Sequence, residues 1–228
     1  MAGNAQELGE QLVEVLADVK PRLRGWLHAV TSPLALAAGI VLVVLSPTTA
    51  ARVGSAVFTL TALLLFTVSA VYHRGTWTPG VRAFLRRCDH ANIFLLIAGS
   101  YTPFTLLLLH GRARVVLLSV IWGGALLGMV FRVLWTDAPR WLHVPVYVAL
   151  GWSAVFYVSD FVRVGGPVVL ALVVTGGLLY TLGGVVYGLR RPDPFPSWFG
   201  FHEVFHTLTI VAFFTHYVGV SVATYSLR

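Results

Sequence analysis

Seven apolar runs dominate the chain, each about long enough to cross a bilayer at roughly 20 residues per span. They cover about Trp26–Ser46, Val53–His73, Ala91–Leu109, Val115–Trp135, Leu142–Val162, Pro167–Leu189 and Phe199–Thr224, with short polar connections between them. The pattern predicts an all-α fold, a seven-transmembrane helix bundle over residues 26–228. Pro33 and Pro103 fall inside the first and third runs, where neighbouring helices can satisfy the carbonyls a proline frees. Small residues recur at Gly123-Gly124, Gly176-Gly177 and Gly183-Gly184, the kind of position at which membrane helices approach closely. Residues 1–25 have a different pattern. Leu8, Leu12, Val15, Leu16 and Val19 recur at helical spacing, with Glu7, Glu10, Glu14 and Asp18 mostly on the opposite side. This predicts a short amphipathic helix on the membrane surface, stopped by Pro21. With an acidic start and no small-residue cleavage site, it does not read as a signal peptide.

Composition agrees with the membrane reading. The 228 residues are 57% hydrophobic and 11% charged, with a mean hydropathy of +0.80, far more apolar than a soluble domain. The single cysteine, Cys88, rules out a disulfide framework within the chain. A net charge of +7 raises the question of nucleic acid. The arginines, however, lie in short clusters between apolar runs, which suits anionic lipid headgroups and gives no nucleic-acid partner.

Counted by connection, eleven Lys and Arg residues fall on the amino-terminal side and five (Arg52, Arg112, Arg114, Arg163, Arg228) on the other. That asymmetry predicts a cytoplasmic amino terminus, an external carboxyl terminus and a multi-pass protein of the plasma membrane. Trp26, Trp77, Trp135, Trp141 and Trp198 fall on the same cytoplasmic boundary and read as an aromatic belt.

The candidate chemistry collects at that boundary. His202 and His206, four apart, share one face of the last helix. Ser69 and His73, also four apart, share a face at the end of the second, and Asp89 opens the third. Three imidazoles, His73, His202 and His206, suit zinc with a fourth position left open, the pattern of catalytic rather than structural sites. Asp89 is then a carboxylate near the metal or a general base, and Ser69 a hydrogen-bonding partner. The competing readings are that Asp89 caps its helix and Ser69 bonds back to its own helix. His202-Glu203-x-x-His206 also matches the zincin signature, in which the glutamate is the base of a protease. His216 lies about 15 Å deeper than His206, at 1.5 Å per residue, and reads as a satisfied polar residue of the bundle. Asp160 reads as a solvated helix end, His90 as pointing away from the Asp89 direction, and His110 and His143 as loop residues.

The segments Ser69-Ala70-Val71-Tyr72-His73, Asp89-His90-Ala91-Asn92-Ile93, Ala98-Gly99-Ser100-Tyr101-Thr102-Pro103 and His202-Glu203-Val204-Phe205-His206 closely resemble the bacterial hemolysin III family. That family is a branch of the progestin and adipoQ receptor superfamily. The resemblance covers essentially everything after the amino-terminal helix. It implies a zinc site on His73, His202 and His206 with Asp89 close by, and similarity to the adiponectin receptors and alkaline ceramidases, whose shared chemistry is thought to be hydrolysis of a lipid amide. One element departs: where family members carry an Asn-x-x-Thr-His-like sequence before the first span, this chain has Arg24-Gly25-Trp26-Leu27-His28, which keeps only the histidine.

The leading functional expectation is therefore a zinc-dependent hydrolase of lipid amide or ester bonds, its partners being membrane lipids, with a lipid amide or fatty acid held in the bundle. The alternative is a non-enzymatic membrane sensor in which zinc clamps two helices together. A pore-forming cytolysin is weaker, because the spans lack the charged lining of a pore.

Overall fold

The structure, a computed structural model, describes residues 21–226, so the amphipathic helix expected at the amino terminus lies outside the described residues. The rest is helical: α1 (Trp26–Leu45), α2 (Thr49–Arg74), α3 (Pro79–Leu108), α4 (Gly111–Leu134), α5 (Arg140–Gly151), a 3-10 turn (Ser153–Tyr157), α6 (Val158–Leu189) and α7 (Phe201–Tyr225). By length and composition, six stretches are long and apolar enough to cross a membrane, the continuous run Arg140–Leu189 counting as one.

That run is not straight. Gly166 inside it has φ 77 and ψ 172, which are not helical angles. A positive φ of this size is open to glycine and strained for other residues, and Pro167 beside it cannot donate a helical hydrogen bond. Contacts across the break run in antiparallel order. The Arg140 guanidinium donates to the Tyr187 carbonyl at 3.0 Å, and Trp152 Nε1 donates to Thr181 Oγ1 at 2.9 Å. Between them, Val144 and Val148 lie against Gly184. The chain therefore reverses at Gly166, and the expected fifth and sixth runs are the two arms of one hairpin.

The helix ends follow local chemistry where the sequence supplies it. Thr48 caps α2 by accepting a hydrogen bond from the Ala51 N–H at 3.2 Å. Pro79 occupies the first turn of α3, where its missing N–H would have had no intrahelical partner. This start differs from the expected one near Ala91. α3 extends about three turns beyond the apolar run, because hydropathy marks where lipid ends and not where the helix ends.

α3 is the central element. Of its most apolar window 72% is buried, against 28% for α1 and 22% for α4. α2 and α4 pack on its two sides, α6 packs along α7, and α1 lies on α2. α2 and α3 come close enough at Gly54 that a Cβ there would lie 2.8 Å from the Pro103 Cα. Phe58, Phe66, Phe94 and Phe213 fill the interior, while Leu134 and Phe156 are more than 80% exposed on the outside. An apolar exterior of this kind suits lipid and not water.

At one end of the bundle the connections are tied to one another. The Arg22 N–H donates to the Ser197 carbonyl at 3.1 Å, and Arg86 pairs with Asp137 at 2.8 Å. The start of α1, the end of α2 and the start of α7 meet at this end, where the expected site lies.

Candidate metal centre

His73 is the penultimate residue of α2, and His202 and His206 occupy the first two turns of α7. One ring nitrogen from each lies within 4.8 Å of the other two. The Nε2 atoms of His73 and His202 are 3.2 Å apart. Two imidazole lone pairs at that distance repel unless a proton or a cation stands between them. A tetrahedral zinc with Zn–N of about 2.0–2.1 Å places its nitrogen ligands roughly 3.3 Å apart, so the spacing fits. His206 is 2% exposed, and its Nδ1 has no hydrogen-bond partner. A buried imidazole that lacks a partner is costly without a ligand.

Asp89 and Ser69 join the cluster. Asp89 Oδ2 lies 3.8 Å from His73 Nε2. Asp89 is the eleventh residue of α3, so it cannot cap that helix, and the capping reading is excluded. Ser69 is buried and makes no bond back to its own helix, so the back-bonded reading does not hold either; its hydroxyl lies beside the Asp89 carboxylate. Both residues line an internal cavity of about 120 Å³ that His202 and His206 also line. The cavity runs on past Leu96 and Ile97, so one end is polar and the body mostly apolar. All five residues expected at the site are thus brought together.

The histidines are held by contacts that sequence spacing does not reveal. Gly25 adopts φ 81, and a Cβ there would lie 2.8 Å from the Cβ of His73, so the chain entering α1 presses against the end of α2. One residue earlier, the Arg24 guanidinium pairs with Glu203. Glu203 is fully buried, and its second oxygen accepts from the Gly200 N–H at 2.9 Å. Its carboxylate is committed to fixing the first turn of α7, a different task from that of a zincin base. His28 is buried and stacks on His206, ring centroids 3.8 Å apart.

The other histidines divide. Arg132, 1% exposed, donates to His90 Nδ1, and His90 lines the cavity but is not among the three converging imidazoles, as expected of a structural residue. His143, expected in a loop, is buried in α5; the helix starts at Arg140, directly after Pro139. His216 Nε2 lies 3.1 Å from the Val173 carbonyl. Sequence reasoning passed over Arg132, although a lone charge inside an apolar run was a usable signal.

The comparisons with known proteins follow the same lines. The profile of the family described as Haemolysin-III related matches residues 17–217. The chain is similar to the Hemolysin-3 homolog of Bacillus subtilis (strain 168), with 30% identity over 154 residues covering 68% of this chain and 69% of the relative. With Hemolysin-3 of Bacillus cereus it shares 28% over 186 residues, 80% of this chain and 82% of the relative. With the Adiponectin receptor protein of Drosophila melanogaster it shares 32% over 154 residues, 59% of this chain and 34% of the relative.

Proposed function

Because the chain belongs to the haemolysin-III related family, we propose that it is a multi-pass membrane protein with a zinc site on His73, His202 and His206 that hydrolyses an amide or ester bond in a lipid. The observation that carries this reading is the convergence of three imidazole nitrogens within 4.8 Å of one another, two of the rings lining a largely apolar cavity.

Zinc, when bound, supplies a Lewis acid that polarises a carbonyl. The residues of the chain do the rest. Asp89 takes the proton of the attacking water, the carbonyl carbon gains the C–O bond, and the proton returns to the leaving amine or alcohol as the old bond breaks. Ser69 Oγ, beside the Asp89 carboxylate, orients that carboxylate and the water. The apolar wall at Leu96, Ile97 and Leu65 takes the acyl chain and keeps bulk water from the reacting atoms.

The membrane arrangement belongs to the same proposal. The Gly166 reversal divides Arg140–Leu189 into two arms, each long enough to cross, which makes seven crossings. The eleven-to-five excess of Lys and Arg supports a metal end in the cytoplasm and a carboxyl terminus outside, and the membrane proposed is the plasma membrane.

Purified protein incubated with a panel of acyl amides and esters tests the reaction. Release of fatty acid that stops on chelation and on Asp89→Asn is the expected result. Zinc-loaded protein that cleaves nothing in the panel overturns the hydrolase and leaves the sensor, in which zinc clamps α2 to α7.

A further inference from the structure

The cavity that His202 and His206 line at one end reaches a second polar group at the other. Ser100 of α3, Tyr180 of α6 and His216 of α7 all line it. His216 is ten residues beyond His206 on α7, which places it about 15 Å deeper at 1.5 Å per residue. Between the two stations the wall is largely apolar.

The inner group is short of polar partners. His216 Nδ1 is buried and makes no hydrogen bond, and the buried Ser100 and Tyr180 hydroxyls have at most each other. Ser100 is 4% exposed and His216 8%. Groups of this kind inside an apolar bundle are expensive to leave unmatched.

The roles of these atoms can be assigned. A carbonyl oxygen only accepts, so in the contact of His216 Nε2 with the Val173 carbonyl at 3.1 Å the ring nitrogen is the donor. In the neutral ring the proton is then on Nε2, and Nδ1 is an acceptor only. The ring is also held in place. A Cβ at Gly176 would lie 2.3 Å from His216 Nε2, so only glycine leaves room for it, and Tyr180 and Phe104 flank it with ring centroids 5.5 Å and 5.8 Å away. The inner group thus offers one fixed acceptor and, from the Ser100–Tyr180 pair, a hydroxyl able to donate.

A ligand group that satisfies this set must donate one hydrogen bond and accept another. A hydroxyl does both. A ketone offers no proton to His216 Nδ1, and a plain methylene offers neither. We propose that Ser100, Tyr180 and His216 form a hydroxyl-binding subsite, by which the cavity selects lipids whose acyl chain carries a hydroxyl deep along its length. The proposal rests on the reading of the cavity as an acyl-chain site and adds the chemistry of the chain it prefers.

The test is a competition on the full-length, detergent-purified protein, read by native mass spectrometry. Equimolar oleate, ricinoleate (an oleate with one mid-chain hydroxyl) and the ketone analogue of ricinoleate compete for the chain. Ricinoleate is expected to occupy the protein about tenfold more than either competitor, the gain of one to two net hydrogen bonds. Tyr180→Phe and Ser100→Ala, each removing one hydroxyl, should lower the ratio of ricinoleate to oleate bound, and Gly176→Ala, which displaces the His216 ring, should abolish the preference. Oleate, ricinoleate and ketone bound equally by the wild-type chain overturn the subsite and leave the acyl-chain reading intact. Binding of none of the three overturns both. A preference for ricinoleate that survives all three substitutions places the hydroxyl elsewhere and also overturns the proposal.

Discussion

His28 stacks face to face on His206, with ring centroids 3.8 Å apart and planes 14° from parallel. The two residues stand at opposite ends of the described chain, and Phe66 closes on His28 edge-on at 5.1 Å. His28 is not among the three converging imidazoles; it sets the plane of one that is.

Removing that support should loosen the site without dismantling it. For His28→Ala we expect zinc still to bind at one per chain but about 10–100-fold more weakly, the usual effect of a residue that orients a ligand. Competition with a chelator of known affinity measures it. Loss of zinc as complete as in a ligand mutant would make His28 a ligand itself.

Glu203 should prove structural. Its carboxylate is fully buried between Arg24 and the Gly200 N–H. Glu203→Gln weakens the contact to Arg24 and is expected to destabilise the protein by on the order of 2 kcal/mol, seen as a lower melting temperature. Hydrolytic activity per folded, zinc-loaded molecule should be unchanged. A fall in activity at full zinc occupancy, with the melting temperature unmoved, would restore the zincin-type role.

Asp89 makes the opposite prediction. It lies 3.8 Å from His73 Nε2 and contributes through its proton affinity, so Asp89→Asn should retain zinc within about 10–100-fold in affinity while hydrolysis drops by about 100-fold or more. Elemental analysis alongside the acyl-amide assay separates the two effects. Zinc lost outright makes Asp89 a ligand.

Much of the site could be read from the sequence, for a physical reason. Histidines four apart on a helix must share a face, and short connections between spans force alternate helix ends to one side, so the pattern alone brings His73, His202 and His206 to one end of the bundle. The hairpin arms could be read too, as the separate apolar runs Leu142–Val162 and Pro167–Leu189. The start of α3 could not, because Pro79–His90 is polar, and hydropathy records the solvent around a helix and not its length. Nor could the Arg24–Glu203 pair, whose members are 179 residues apart, or the stacking of His28. Contacts of that kind depend on how helices are rotated against one another, which a one-dimensional pattern does not specify.

Orientation can be tested without purification. The excess of arginine at the metal end predicts that a reporter inserted near Gly80 is active in the cytoplasm and one fused after Arg228 outside it. A carboxyl-terminal reporter active only in the cytoplasm would mean six crossings or an inverted protein.

The metal content of the purified protein tests the central claim most directly. The account predicts about one zinc per chain by elemental analysis, lost in His73→Ala, His202→Ala and His206→Ala. It should be kept in His143→Ala and His216→Ala, whose side chains lie outside the cluster. Because zinc binds a site that exists only when α2 and α7 are assembled, chelation should lower the melting temperature, and added zinc should restore it. Wild-type protein that holds no metal and melts at the same temperature with and without zinc would contradict both the hydrolase and the clamp.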